Sequence, residues 1–198
     1  HVAYNLLAFR QRHKLHKAVA EWYESQFEHN LASYYPVLAH HYALAEDQPK
    51  TLEYLGLAGT RALRNGASGE AVSFFLRALD LGQDKEALAS AETRLRQARW
   101  WRSLGLAYYG LGRRLEARDA FLRTMEIAGY PFASSLPGQL FQLSREYVYQ
   151  ALLLAAPKLL LEGDETRRLL AAEAADAAQY VSTTYYFDKE NLPMFVAA

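Results

Sequence analysis

At 198 residues, 51% of them hydrophobic, the chain is long enough for one large domain or a short repeat array and apolar enough to bury a real core, which argues against disorder. Its 22 Lys and Arg balance 22 Asp and Glu, and a neutral chain is a poor general binder of nucleic acid or acidic membrane. The absence of Cys excludes a disulfide framework, a thiol nucleophile and Cys-ligated zinc, and it fits a reducing, cytoplasmic compartment.

Between the turn residues the apolar side chains recur at helical spacing without strand-like alternation, and Ala, Leu, Glu, Gln and Arg dominate. An all-α fold of eight or nine helices is therefore expected. The first helix is predicted over 2–28, with a break near Phe9, and the second over 31–45. Asp47-Gln48-Pro49 is a turn, and its proline suits the start of a third helix that stops at Asn65-Gly66. Ser68 is expected to cap a fourth helix, which ends near Gly82. Asp84 opens a long fifth helix to about Leu111, and Gly112 separates it from a sixth that ends at Ala128. Gly129-Tyr130-Pro131 breaks the chain, and 131–138 read as a loop. A seventh helix follows to about Leu161, Gly163-Asp164 precede an eighth reaching about Phe187, and 188–191 form the last turn before a truncated ninth. The start in what looks like mid-helix and the uncapped end lead us to expect a piece of something longer. The longest apolar run, 151–161, is interrupted by Pro157 and Lys158 and falls short of the roughly 20 residues a membrane helix needs, so no membrane partner is expected. No signal peptide is evident at the N-terminus. Short turns favour antiparallel neighbours, and repeated pairs of this kind suggest a solenoid.

The sharpest pattern lies in the fifth and sixth helices. Trp101-x2-Leu104-Gly105-x2-Tyr108 is followed by Ala117-x3-Phe121. Trp101, Leu104 and Tyr108 share a helix face; Gly105 and Ala117 let the two helices approach, and Phe121 fills the space one turn on. The same register recurs 46 residues earlier, with Leu55, Ala58, Gly59 and Ala62 answering the first helix and Ala71, Phe75 and Ala78 the second. A weaker third copy is Val181-Ser182-x2-Tyr185, then Met194 and Ala198. This pattern resembles the tetratricopeptide repeat, whose usual period is about 34 residues, and the surplus is assigned to an N-terminal extension of the fifth helix between Gln83 and Gln97. The resemblance implies a right-handed α-α superhelix of helix hairpins.

Further strings extend the likeness. Val2-Ala3-Tyr4-Asn5-Leu6-Leu7 with Arg12-x3-His16-x2-Val19-Ala20-x2-Tyr23 resembles a segment that follows the ATPase module of large bacterial signalling proteins. Leu38-Ala39-His40-His41-Tyr42, Glu70-Ala71-Val72, Arg77-Ala78-Leu79, Tyr185-Tyr186-Phe187 and Asn191-Leu192-Pro193 resemble successive later segments. Together they are similar to the helical region of class III adenylate/guanylate cyclase proteins that carry an AAA-type ATPase. The resemblance implies that 1–30 link to a preceding ATPase, that 31–130 form tetratricopeptide-like hairpins and that 131–198 hold further hairpins. Transcription activators with an ATPase and a helical-repeat sensor share the first strings and supply the alternative reading; the Tyr-Tyr-Phe segment favours the cyclase group.

Catalytic patterns are missing from the sequence: there is no G-x4-G-K-[ST], no HExxH and no G-x-S-x-G, and Tyr109-Gly110-Leu111-Gly112 reads as a helix end. No catalytic residue, cofactor or metal is expected. His13 and His16 are three apart and could share a helix face and bind a metal, whereas the adjacent His40 and His41 point apart; helix packing or surface exposure is the favoured reading of all four. Glu46, Asp47 and Glu53 flank a turn and read as solvated. A small-molecule pocket near 131–138 is the least supported alternative. The candidate partner-binding face comprises Arg99, Arg102, Leu106 and Tyr109 beside the Trp101–Tyr108 stripe, with Glu53, Thr60 and Arg64, then Gln179, Thr183 and Tyr186, at equivalent positions. Arg beside Tyr suits recognition of a protein or peptide, or of other domains of the same chain, and the same residues also suit a solvated face.

Overall fold

A computed structural model describes residues 8–82, 90–131 and 165–187, the last four without their side chains. Every regular element among them is helical. The chain gathers into two compact units, His1–Gln83 and Asp84–Ala198. The expected loop at 131–138 and the pocket near it, apart from Pro131, lie outside the described residues. So do the seventh and ninth helices, the string at 2–7, and Met194 and Ala198 of the third repeat copy.

The first unit holds α1 (Phe9–Gln26), a 3-10 segment (Glu28–Tyr34), α2 (Tyr35–Leu44), α3 (Gln48–Arg64) and α4 (Ser68–Leu81). The second expected helix, over 31–45, is thus split. Pro36 has no N–H to donate and its ring collides with the carbonyl four residues back, so an α-helix cannot run through it; α2 begins at Tyr35 with the proline in its first turn. Arg61 of α3 donates to the Ala32 carbonyl and so satisfies part of the 3-10 segment. Asp47 caps α3, its Oδ1 accepting from the Lys50 amide at 3.3 Å. Ser68 does not cap α4: the cap position is Ala67, and Ser68 is already helical.

The second unit holds α5 (Ala91–Gly110), α6 (Arg114–Ala128) and α7 (Glu165–Phe187). The expected start of the fifth helix at Asp84 is corrected here. Ser90 is in extended backbone, ψ 129°, so the helix starts at Ala91 and is 20 residues long. Compared with the 17 residues of α3, only about one turn of the surplus lies in α5.

Among the described residues, four helix ends share one device. The amides of Asp47, Ala67, Arg113 and Tyr130 each donate to the carbonyl five residues back, on Tyr42, Ala62, Tyr108 and Met125. Such a turn requires a left-handed residue just before the donor. Gly66, Gly112 and Gly129 supply it with φ of 74°, 73° and 90°. The fourth position is Glu46, at φ 56°, where a Cβ strains the backbone.

The core of each hairpin is an aromatic ring laid on a glycine. In the first unit Phe75 of α4 is fully buried, and a Cβ on Gly59 of α3 would come within 2.8 Å of its ring. In the second, Phe121 of α6 is fully buried, and a Cβ on Gly105 of α5 would come within 2.6 Å of it. Leu55, Ala58, Ala62, Ala71 and Ala78 are buried with the first pair, and Leu104 and Ala117 with the second. Tyr108 packs on the cluster that holds Phe121 and is only partly buried. Trp101 is half-buried, whereas its neighbour Trp100 is buried. The second unit closes with α7, which lays Leu170, Ala174, Ala177 and Val181, at spacings of three and four, against α5 and α6.

Replacing Glu46 by Gly should relieve the left-handed strain and raise the stability of the chain by about 0.5–1 kcal/mol, the relief exceeding the extra entropy glycine gives the unfolded chain. Urea denaturation followed by circular dichroism measures it.

Candidate functional site

The face expected to receive a partner is brought together on α5, and α7 lies against it. Arg99 and Arg102 are one turn apart and both reach Glu173 of α7. The Arg99 Nε donates to Glu173 Oε1 at 3.1 Å and the Arg102 Nε to Oε2 at 2.5 Å, so each carboxylate oxygen takes one guanidinium. Arg102 also approaches Asp176 at 3.8 Å. The Glu173 side chain is only 12% exposed, which strengthens its two charge-assisted bonds relative to surface pairs. Leu106 packs on the cluster of Ala117, Phe121, Met125, Ala177 and Val181. The Tyr109 ring meets Tyr180 edge-on, centroids 5.6 Å apart, and Tyr180 stacks on Phe121 at 4.9 Å. Arg99 and Tyr109 stay accessible, with Arg99's side chain 50% exposed, whereas Arg102 and Leu106 face the protein's own helix.

The equivalent positions of the first unit are on α3. Glu53 is exposed and pairs with Lys50 at 3.5 Å; Thr60 bonds back to the Gly56 carbonyl; Arg64 is exposed in the last turn. On α7, Gln179 is exposed and accepts at its carbonyl from the Thr183 hydroxyl; Tyr186 falls within the same helix.

The three acids around the α2–α3 turn do not form a cluster. Glu46 approaches His13 at 3.6 Å, Asp47 caps α3 and pairs with Lys17 at 3.3 Å, and Glu53 meets Lys50. His13 and His16 likewise diverge: His13 lies against Phe9 and Glu46, while the His16 Nδ1 is 2.9 Å from the His41 Nδ1. Among the described residues, no group of three or more His, Cys, Asp and Glu is arranged to hold a metal ion. None of the described helices is long and apolar enough to cross a membrane.

A polar junction that sequence reasoning did not single out fastens α1 to its neighbours. Glu24 accepts from Tyr42 at 2.8 Å, from Lys50 at 3.1 Å and from the Tyr54 hydroxyl. Tyr42 and Tyr54 are buried and stack nearly parallel, 2° between planes. Burial pushes the Glu24 carboxyl up, but the bonds from Tyr54, Tyr42 and Lys50 outweigh it and hold the group below the usual carboxylate range. Burial, then the bond to Glu24, pushes both phenols well above theirs. The abundance of Tyr was the available signal; the partner 18 and 30 residues away was not. Glu173 was missed for the same reason, though Glu173 and Asp176 repeat the i,i+3 spacing of the two arginines.

No protein-family model, curated protein or solved structure matches the chain.

Removing the shared carboxylate leaves two guanidiniums facing each other. Glu173→Ala should therefore lower the stability of the chain by about 1–2 kcal/mol, against less than about 0.5 kcal/mol for the exposed Asp176→Ala. Equal small effects in denaturant titrations would show that the pairing is not structural.

Proposed function

We propose that this chain is a non-catalytic interaction and regulatory module of tetratricopeptide type, and that its hairpins stack in a right-handed superhelix. The observation that supports this reading best is the repetition of one hairpin design in both units: a buried Phe on a helical Gly, at positions 46 residues apart, joined by the same glycine turn. Repeating hairpins generate extended helix faces, and such faces hold partners by shape and charge rather than by chemistry. The accessible groups in the expected binding positions are Glu53 and Arg64 in the first unit and Arg99, Tyr109 and Gln179 in the second. Their mixed charge and aromatic character suit a protein or peptide, or another domain of the same parent chain.

The short strings described above extend the reading to a parent protein: a class III adenylate/guanylate cyclase with an AAA-type ATPase, in the cytoplasm, with these repeats coupling partner contact to cyclase output. The test is deletion of residues 8–187 from a parent chain bearing those domains. Cyclase activity, or its dependence on ATP, should change several-fold. Unchanged activity and unchanged ATP dependence would overturn the regulatory reading.

A further inference from the structure

The α1–α2 contact is built around two imidazoles. His16 lies on α1 and His41 on α2, and their Nδ1 atoms are 2.9 Å apart. At that distance one nitrogen must donate and the other accept, so the contact survives with the pair neutral or carrying one proton. With both rings protonated there are two donors, no acceptor and two like charges. We propose that this pair is an acid-labile fastener that holds the N-terminal half of α1 on α2 near neutral pH and releases it as the solution is acidified below the ordinary histidine range of about 6.5.

The surroundings favour release. His40 lies beside His41, ring centroids 5.4 Å apart, and His13 is one turn before His16 on α1, so each ring of the pair has a further imidazole beside it. The Tyr23 ring stacks on His41 with centroids 6.4 Å apart. Two acids tie this part of α1 to the α2–α3 turn, Glu46 approaching His13 and Asp47 pairing with Lys17, but each pair has an exposed member and is weak beside the imidazole contact; Glu24 and Glu53 meet Lys50 of α3. Burial, followed by the charges of His40 and His13 on one ring and of His16 and His40 on the other, holds His16 and His41 below the usual histidine value. A histidine whose docked value is depressed contributes its full stability above the undocked value and loses it as pH falls toward the docked one.

The release is confined to part of α1. Glu24 lies two turns beyond His16, about 12 Å along the helix, and stays ionised across this window because its own hydrogen bonds favour the charged form. The Glu24 junction therefore keeps the C-terminal half of α1 docked while residues 9–19 come away.

Hydrogen–deuterium exchange of the 198-residue chain at pH 7.5 and 5.5, corrected for intrinsic rates, tests the proposal. Residues 9–19 should lose protection several-fold at pH 5.5 while 20–26 and α3 hold theirs. His41→Gln, which cannot take up a proton, should abolish the difference, and His29→Gln, an exposed histidine outside the pair, should leave it intact. Should His41→Gln fail to fold at pH 7.5 by circular dichroism, His16→Gln serves in its place. Equal protection of 9–19 at both pH values, the same loss in the folded variant as in the wild type, or loss spread evenly over the whole first unit would each overturn the proposal.

Discussion

The close approach of each helix pair depends on a phenyl ring resting where a glycine has no side chain. Phe75 lies over Gly59 and Phe121 over Gly105, and in both places a single added carbon would sit under 3.0 Å from the ring. Glycine in a helix interior costs about 1 kcal/mol relative to alanine, so it persists where the space it leaves is filled. Here the ring fills it, and the distance between the two helices follows. Ala71 and Ala117, one turn earlier on the second helix of each pair, keep that distance along the hairpin. The glycine turns then set the reversal, since Gly66 and Gly112 provide the left-handed residue that a bulkier side chain would strain.

In the second unit the same packing creates the seat for α7. Tyr180 stacks on Phe121, and Ala177 and Val181 complete the apolar layer. Glu173 then adds direction: it meets two arginines one turn apart, which fixes the helix along its length. The α5 face is thereby divided. Arg102 and Leu106 hold the protein together, while Arg99 and Tyr109 remain partly exposed. The inner part of the α5 face is thus used for the protein's own helix, and its rim stays exposed.

Much of this was legible in the residues. Small-large complementarity between Gly105, Ala117 and Phe121 is a local pattern, and its repetition at Gly59, Ala71 and Phe75 made the hairpins readable. The glycine turns were equally plain. Glu46 was not, because glutamate carries no preference for the left-handed backbone that its turn demands. Proline at 36 marked a helix start only through its missing N–H, so the apolar periodicity of 31–45 concealed the 3-10 segment before it. The Arg99–Arg102 pair was visible as a charged face, but its partner Glu173 lies 71 residues or more along the chain, beyond any local spacing rule. Glu24 was hidden in the same way: its hydrogen-bond partners are defined by tertiary packing alone.

The ring-on-glycine contact is tested most directly by a double-mutant cycle of Gly105→Ala and Phe121→Leu, with Gly59→Ala and Phe75→Leu as its counterpart. Gly105→Ala alone should destabilise the chain by about 1–2 kcal/mol, overpacking outweighing the better helix propensity. In the Phe121→Leu background the penalty should largely vanish, giving a coupling above about 0.5 kcal/mol at both sites. Additive changes, or a stabilising Gly105→Ala such as an open helix surface would show, would contradict the account.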